Sequence, residues 1–181
     1  MKILGINGTL VGSKPAILVQ QSLHILQQQG IDVEFLDIQQ LQLEFCDGRP
    51  LHAYNADVQL LAQKVAEADA LIIGTTVLHG SMPAPLKNVF ELVPMDAFAK
   101  KSVLFVANGG NQLHYLAIEN YIKPVANYLN MYVYPQYAFI TSAQFTAQNE
   151  LQREEQQAFT ALVAQFANYA QAVAPLKEEL V

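Results

Sequence analysis

Short apolar runs alternate with longer amphipathic segments along this chain. Residues 103–106 are typical of the runs, because they are apolar at consecutive rather than alternate positions, the pattern of a strand covered on both faces. The runs predict strands over residues 2–7, 32–36, 70–75, 102–107 and about 132–140. The segments between them have helical spacing and predict helices over 15–29, 57–67, 85–92, 112–129 and 149–173.

Five successive strand and helix units predict an α/β fold. Their number and order fit a doubly wound, parallel, five-stranded sheet of the flavodoxin-like type, with strand order 2-1-3-4-5 and helices on both faces. No Pro/Gly/Ser-rich linker divides the sequence, so residues 1–181 are expected to form a single domain. Within strand five, Pro135 cannot donate to a ladder, and pairing is expected to begin at about Gln136.

Charge and composition exclude several classes of partner. The formal net charge is -6, with only ten basic residues, which leaves no electrostatic footprint for nucleic acid. No run reaches the roughly 18 apolar residues of a membrane span. A lone cysteine, Cys46, and a sequence that enters a strand at once, without a leader, fit a reducing, cytoplasmic setting. The four histidines have no metal-ligand spacing, so no metal site is expected.

Loops of small residues follow strands one, three and four. They contain Gly8, then Gly80, then the pair Gly109 and Gly110. Ligands of open parallel sheets bind at the carboxyl ends of strands near the switch in strand order. Glycine there lets a flat ligand approach backbone N–H groups. The three loops therefore predict one ligand pocket.

The first of these loops has the features of an anion site. Thr9 and Ser13 supply hydroxyls, Lys14 supplies a cation, and a helix start supplies free N–H groups. The alternative is that Ser13 merely caps the helix. The loop is neither a Walker loop nor Gly-x-Gly-x-x-Gly, but Asp37, at the end of strand two, stands where a dinucleotide-binding domain keeps its ribose acid. A dinucleotide site thus remains a second interpretation.

Over residues 1 to about 140, these loops give the chain a resemblance to the NADPH-dependent FMN reductases of the flavodoxin-like superfamily, particularly those that supply reduced flavin to two-component monooxygenases. The family's Gly-Ser-x-Arg motif followed by Ser appears as Gly8-Thr9-Leu10-Val11 with Ser13. Its Thr-Pro-Val-Tyr-x-Gly-Ser motif appears in residues 75–81, before Leu86-Lys87. Its Gly-Gly loop, leading to His and Lys-Pro, appears in residues 108–114 with Lys123-Pro124.

The sequence departs from the family on the ligand side. Val11 stands where the family has an arginine near the phosphate, and Pro15 replaces a side-chain donor. Thr76 and Leu78 replace a proline and a tyrosine, so an aromatic edge at the flavin is missing. Loss of a charge-assisted bond predicts flavin affinity lower by about tenfold or more, partly compensated by Lys14. The flavin is accordingly expected to exchange, or the site to be impaired.

The resemblance implies an NAD(P)H-dependent oxidoreductase that transfers hydride to FMN, with no catalytic residue from the protein. Electrons would pass to a monooxygenase, a quinone or another acceptor. The implied flavin contacts are Thr9, Ser13, Lys14, Val77, Leu78, His79, Gly80, Asn108, Gly109, Gly110, Asn111 and Gln112. Valine at either glycine of the Gly-Gly pair is expected to block flavin and leave the fold intact.

Two further expectations accompany this interpretation. The alternative function is a flavodoxin-like FMN-binding or electron-carrier protein without NAD(P)H turnover. The predicted helix over 112–129 is apolar on more than one face, which predicts a homodimer or homotetramer. Tyr121 and Tyr128 are expected in or beside the interface.

Overall fold

A parallel sheet forms the centre of the computed structural model, which describes residues 1–174. Its strands run in the order β2-β1-β3-β4, and β5 and β6 both pair with β4. The strands are β1 (Lys2–Asn7), β2 (Asp32–Asp37), β3 (Ala70–Thr76), β4 (Ser102–Gly109), β5 (Tyr132–Val133) and β6 (Ala138–Thr141). The predicted fold class and strand order are confirmed.

The fifth predicted strand is two short strands instead of one. Tyr132 and Val133 already pair with β4, so the expectation that pairing begins at Gln136 is wrong. Pro135 then interrupts the ladder because it has no N–H to donate. Pairing resumes at Ala138, opposite Val106.

Six α-helices surround the sheet within the described residues. They are α1 (Lys14–Gln27), α2 (Ala56–Glu67), α3 (Ala84–Leu92), α4 (Met95–Phe98), α5 (Lys123–Tyr128) and α6 (Arg153–Val173). The last helix begins four residues later than predicted, because Asn149 adopts a positive φ of 61° within a turn in which the Thr146 N–H bonds the Glu150 carbonyl.

The predicted helix over 112–129 is also broken. It consists of a 3₁₀ turn at Gln112–Tyr115, a π-helical turn at Ile118–Ile122, and α5. Pro124 has no N–H for the Asn120 carbonyl, and the Lys123 N–H reaches back five residues to the Ile118 carbonyl. The wider π turn therefore lies immediately before the proline.

Two apolar layers enclose the sheet. Helices α2, α3 and α5 pack on one face, and α1 and α6 pack on the other. Gly74, in the second half of β3, lets α1 approach closely, since a Cβ there would lie 2.4 Å from Val19 Cγ2 and 2.9 Å from the Pro15 carbonyl oxygen. This contact holds the start of α1 beside the carboxyl edge of the sheet.

Candidate functional site

The three small-residue loops meet at the carboxyl ends of β1, β3 and β4, which are neighbours in the sheet. The Gly8 N–H donates to the Gly74 carbonyl at 2.7 Å, and the Val77 N–H donates to the Asn108 carbonyl at 2.9 Å. The hydroxyls of Thr9 and Thr76 are 2.9 Å apart and share a hydrogen bond. The loops thus form one continuous surface.

The first loop leads into α1 with its donors unused. The N–H groups of Gly12, Ser13 and Lys14 donate to no acceptor within residues 1–174. Ser13 occupies the N-cap position but makes no side-chain capping bond. Its hydroxyl is therefore available to a ligand, and the interpretation of Ser13 as a simple helix cap is not supported.

The second loop is a tight turn. Leu78 and Ser81 exchange two backbone hydrogen bonds, each 3.0 Å long. The residues between them, His79 and Gly80, have φ of 50° and 77°, as in the primed turns that connect antiparallel pairs. Their N–H groups form no hydrogen bond to the described protein, and the His79 side chain is exposed.

The third loop follows β4. Gly109 is buried, whereas Gly110, Asn111 and Gln112 are exposed, and the N–H groups of these three have no acceptor in the described part of the chain. The Asn111 side chain instead accepts the Leu113 N–H at 2.9 Å, which begins the 3₁₀ turn. All three loops thus have backbone N–H groups that donate to no acceptor in the described part of the chain.

Three predicted contact residues direct their side chains into the protein. Thr9 is fully buried, and its hydroxyl also accepts the Val11 N–H at 3.1 Å. Val77 packs in the core, and the Asn108 amide donates to the Ile140 carbonyl at 2.7 Å. Their side chains shape the loops, and their predicted contact with flavin stays a prediction.

The only cation that the first loop itself carries is Lys14. Its ammonium lies 5.3 Å from the centroid of the Phe145 ring, and it forms no ion pair with a described carboxylate. Asp37 is already engaged by the Asn7 amide at 2.7 Å and the Gln39 N–H at 3.0 Å. Asp37 was the residue on which the dinucleotide interpretation rested, and its carboxylate accepts hydrogen bonds from within the protein.

Two polar residues beside the first loop were not predicted. Gln39 and Asn7 both donate side-chain hydrogen bonds to its backbone. Asn7 had a signal in the sequence, because it is the polar last residue of a strand whose residues 3–6 carry no polar side chain. Gln39 had none, since it is one of two adjacent glutamines after β2.

The described part of the chain has neither a metal-binding cluster nor a membrane-spanning helix, and its largest cavity among those described lies away from the three loops. No group of three His, Cys, Asp or Glu residues in residues 1–174 could hold a metal ion. None of the described helices is both long and apolar enough to span a membrane. A cavity of about 700 Å³ lies between α2 and α4, but it includes none of the residues of the three loops.

Comparison with solved structures supports the fold class. The chain is similar to the apo form of an NADH:FMN oxidoreductase, EMOB, with a TM-score of 0.77 and 24% identity, covering 91% of this chain and 87% of that one. It is also similar to an archaeal flavodoxin, with a TM-score of 0.63 and 11% identity over 94% of this chain and 99% of that one. These similarities show that the fold is flavodoxin-like.

Comparison of sequences is more specific. The family model described as NADPH-dependent FMN reductase matches residues 1–146. An NAD(P)H-dependent FAD/FMN reductase of Geobacillus thermodenitrificans (strain NG80-2) is 43% identical over 153 residues, which are 83% of each chain. The chain therefore belongs to the NADPH-dependent FMN reductase family.

Family membership confirms several of the predictions. The resemblance, the oxidoreductase class, FMN as the cofactor and NAD(P)H as the hydride donor are all supported. The same assignment favours a reductase over an electron carrier without turnover.

Proposed function

We propose that this protein is an NAD(P)H-dependent FMN reductase whose flavin lies against the three loops. The observation that carries the proposal is the set of unused backbone donors at one edge of the sheet. They are the N–H groups of Gly12, Ser13, Lys14, His79, Gly80, Gly110, Asn111 and Gln112. FMN combines a phosphate anion with a flat ring that has carbonyl oxygens along one edge, so its acceptors fit these donors.

The first loop would hold the phosphate. Three N–H groups without a protein acceptor and the Ser13 hydroxyl lie together at the start of α1, where the positive end of the helix dipole also lies. Lys14 adds one cation to this set. Since Val11 replaces the family's arginine, we propose that the flavin is held weakly enough to exchange as a substrate.

The other two loops would hold the ring. Leu78, His79 and Gly80 would line one side of it, and the N–H groups of Gly110 to Gln112 would meet its pyrimidine edge. FMN, when bound, supplies a hydride acceptor. The protein positions it, and the third loop's N–H groups stabilise negative charge on the ring edge in the manner of an oxyanion hole.

An activity assay tests this function. NADPH and NADH oxidation by the purified full chain would be followed with FMN, riboflavin, FAD or no flavin. We expect oxidation to depend on added flavin, and FMN to bind more tightly than riboflavin because only FMN presents a phosphate to the first loop. Absence of flavin-dependent oxidation would contradict the proposed reaction, and equal affinities would contradict the phosphate site.

We further propose that the protein acts in the cytoplasm and passes electrons to a monooxygenase, a quinone or another acceptor.

We also propose that the protein is at least a homodimer. The support for an interface is an exposed aromatic surface, since Tyr121 and Tyr128 are 51% and 73% exposed. Beside Tyr128, an apolar groove of about 440 Å³ runs between α3 and α5. Light scattering at micromolar concentration should give at least twice the 20.0 kDa chain mass. A monomer, or a dimer unaffected by Tyr128→Glu, would contradict this interface.

A further inference from the structure

The first loop is held from outside by a side chain of the neighbouring β2 connection. Gln39 lies in a short 3₁₀ turn, Ile38–Gln40, directly after β2. Its amide nitrogen donates to the carbonyl of Thr9 at 3.2 Å and to the carbonyl of Gly12 at 3.3 Å. An amide nitrogen has two hydrogens, so both are used on this loop.

Gln39 is in turn fixed at the ends of β2 and β1. Its own N–H donates to Asp37 Oδ1 at 3.0 Å, and the same oxygen accepts the Asn7 amide at 2.7 Å. Asn7 also donates to the Thr9 carbonyl at 3.3 Å. A continuous set of hydrogen bonds thus connects the ends of β1 and β2 to the loop.

Holding these carbonyls also orients N–H groups. In a trans peptide the C=O and the following N–H point in opposite directions. With the Gly12 carbonyl directed at Gln39, the Ser13 N–H must point away from Gln39. The peptide could otherwise rotate readily, because Gly12 has a positive φ of 78° and no neighbour within 4 Å of a Cβ position.

We propose that Gln39 is a positioning residue for the FMN phosphate. It acts without touching the ligand, by fixing the Gly12–Ser13 peptide so that the Ser13 N–H faces the phosphate. The proposal rests on the function proposed above. In this protein, where Val11 replaces a cationic side chain, phosphate binding depends on neutral donors, and their orientation matters correspondingly more.

The test compares FMN and riboflavin affinities of the full chain in wild type, Gln39→Ala, Gln39→Glu and the matched control Gln40→Ala. Gln40 is exposed in the same turn and makes no side-chain hydrogen bond to described residues. The Gln39→Ala variant loses the two neutral hydrogen bonds that hold the loop carbonyls. Because the Ser13 N–H is then no longer oriented, the variant should bind FMN about tenfold more weakly than wild type. Riboflavin affinity should not change, and Gln40→Ala should match wild type for both ligands.

Glutamate keeps the shape of glutamine but has no N–H to donate, so Gln39→Glu should bind FMN no better than Gln39→Ala. In turnover, both variants should raise the KM for FMN and leave kcat unchanged at saturation. Thermal unfolding of each variant checks that the fold is intact.

The outcomes separate the two proposals. Wild type that binds FMN and riboflavin equally would overturn the phosphate site itself. If wild type prefers FMN, the role of Gln39 is overturned when Gln39→Ala matches Gln40→Ala, when it weakens riboflavin equally, or when Gln39→Glu retains wild-type affinity.

Discussion

Valine substitutions at the adjacent residues Gly109 and Gly110 should have opposite consequences. A Cβ at Gly109 would lie 2.5 Å from Phe139 Cζ and 3.1 Å from its Cε2, far inside ordinary contact. Phe139 is only 9% exposed and packs in the main core. A Cβ at Gly110 has no neighbour within 4 Å.

The structure gives the magnitudes. Overpacking a core usually costs about 1–3 kcal/mol, so Gly109→Val should lower the free energy of unfolding by that amount. Gly110→Val should stay within about 0.5 kcal/mol of wild type, as is usual for exposed sites. Because its side chain would occupy the space proposed for the flavin edge, it should reduce FMN affinity at least about tenfold, by about 1.4 kcal/mol.

Urea unfolding and FMN titration of the same two purified variants make the comparison. A Gly110→Val protein that is stable and binds FMN as wild type does would refute the placement of the flavin against this loop. A Gly109→Val protein as stable as wild type would refute the packing argument. The sequence alone predicted that valine at either glycine leaves the fold undisturbed, and the contact with Phe139 argues against this at Gly109.

Three further outcomes are expected. Val11→Arg should tighten FMN binding about tenfold by adding a charge-assisted bond, and an unchanged Kd would contradict the position assigned to the phosphate. Burial, with Glu119 nearby, raises the pKa of Tyr137 from 10.0 to about 12. The free energy of unfolding of wild type should therefore fall as pH rises through this interval, because the unfolded state loses the proton first. The free energy of unfolding of Tyr137→Phe should fall less steeply over the same interval. His79→Gly should raise stability by up to about 1 kcal/mol in urea unfolding by removing a side chain at φ 50°, whereas a loss would show that the turn is not strained.

The sheet was predictable because its strands are buried on both faces and therefore apolar at consecutive positions. The same signal failed where backbone hydrogen bonding decided the outcome. Apolar periodicity runs through residues 112–129 without a break, and only the missing N–H of Pro124 indicates that the helix cannot be regular. At Pro135, the residue type predicted a break, but not that pairing would exist on both sides of it.

The position of the site was predictable to the level of loops, since glycines after buried strands mark it. The direction of individual side chains was not. The Thr9 side chain points inward because its hydroxyl shares a hydrogen bond with that of Thr76 on β3. The Asn108 side chain points inward because its amide donates to the Ile140 carbonyl. Such pairings depend on which strands are neighbours in space, as does the contribution of Gln39, which lies 27 residues from Gly12.

The divided outer strand also affects how copies of this chain can meet. Beyond β4 the sheet ends in two pieces of two and four residues, separated by a proline. An unbroken edge strand presents a row of unpaired donors and acceptors that recruits strands from other molecules and leads to aggregation. Here the row is short and interrupted, so edge-to-edge extension at this edge of the sheet is disfavoured by the covalent structure of the chain itself.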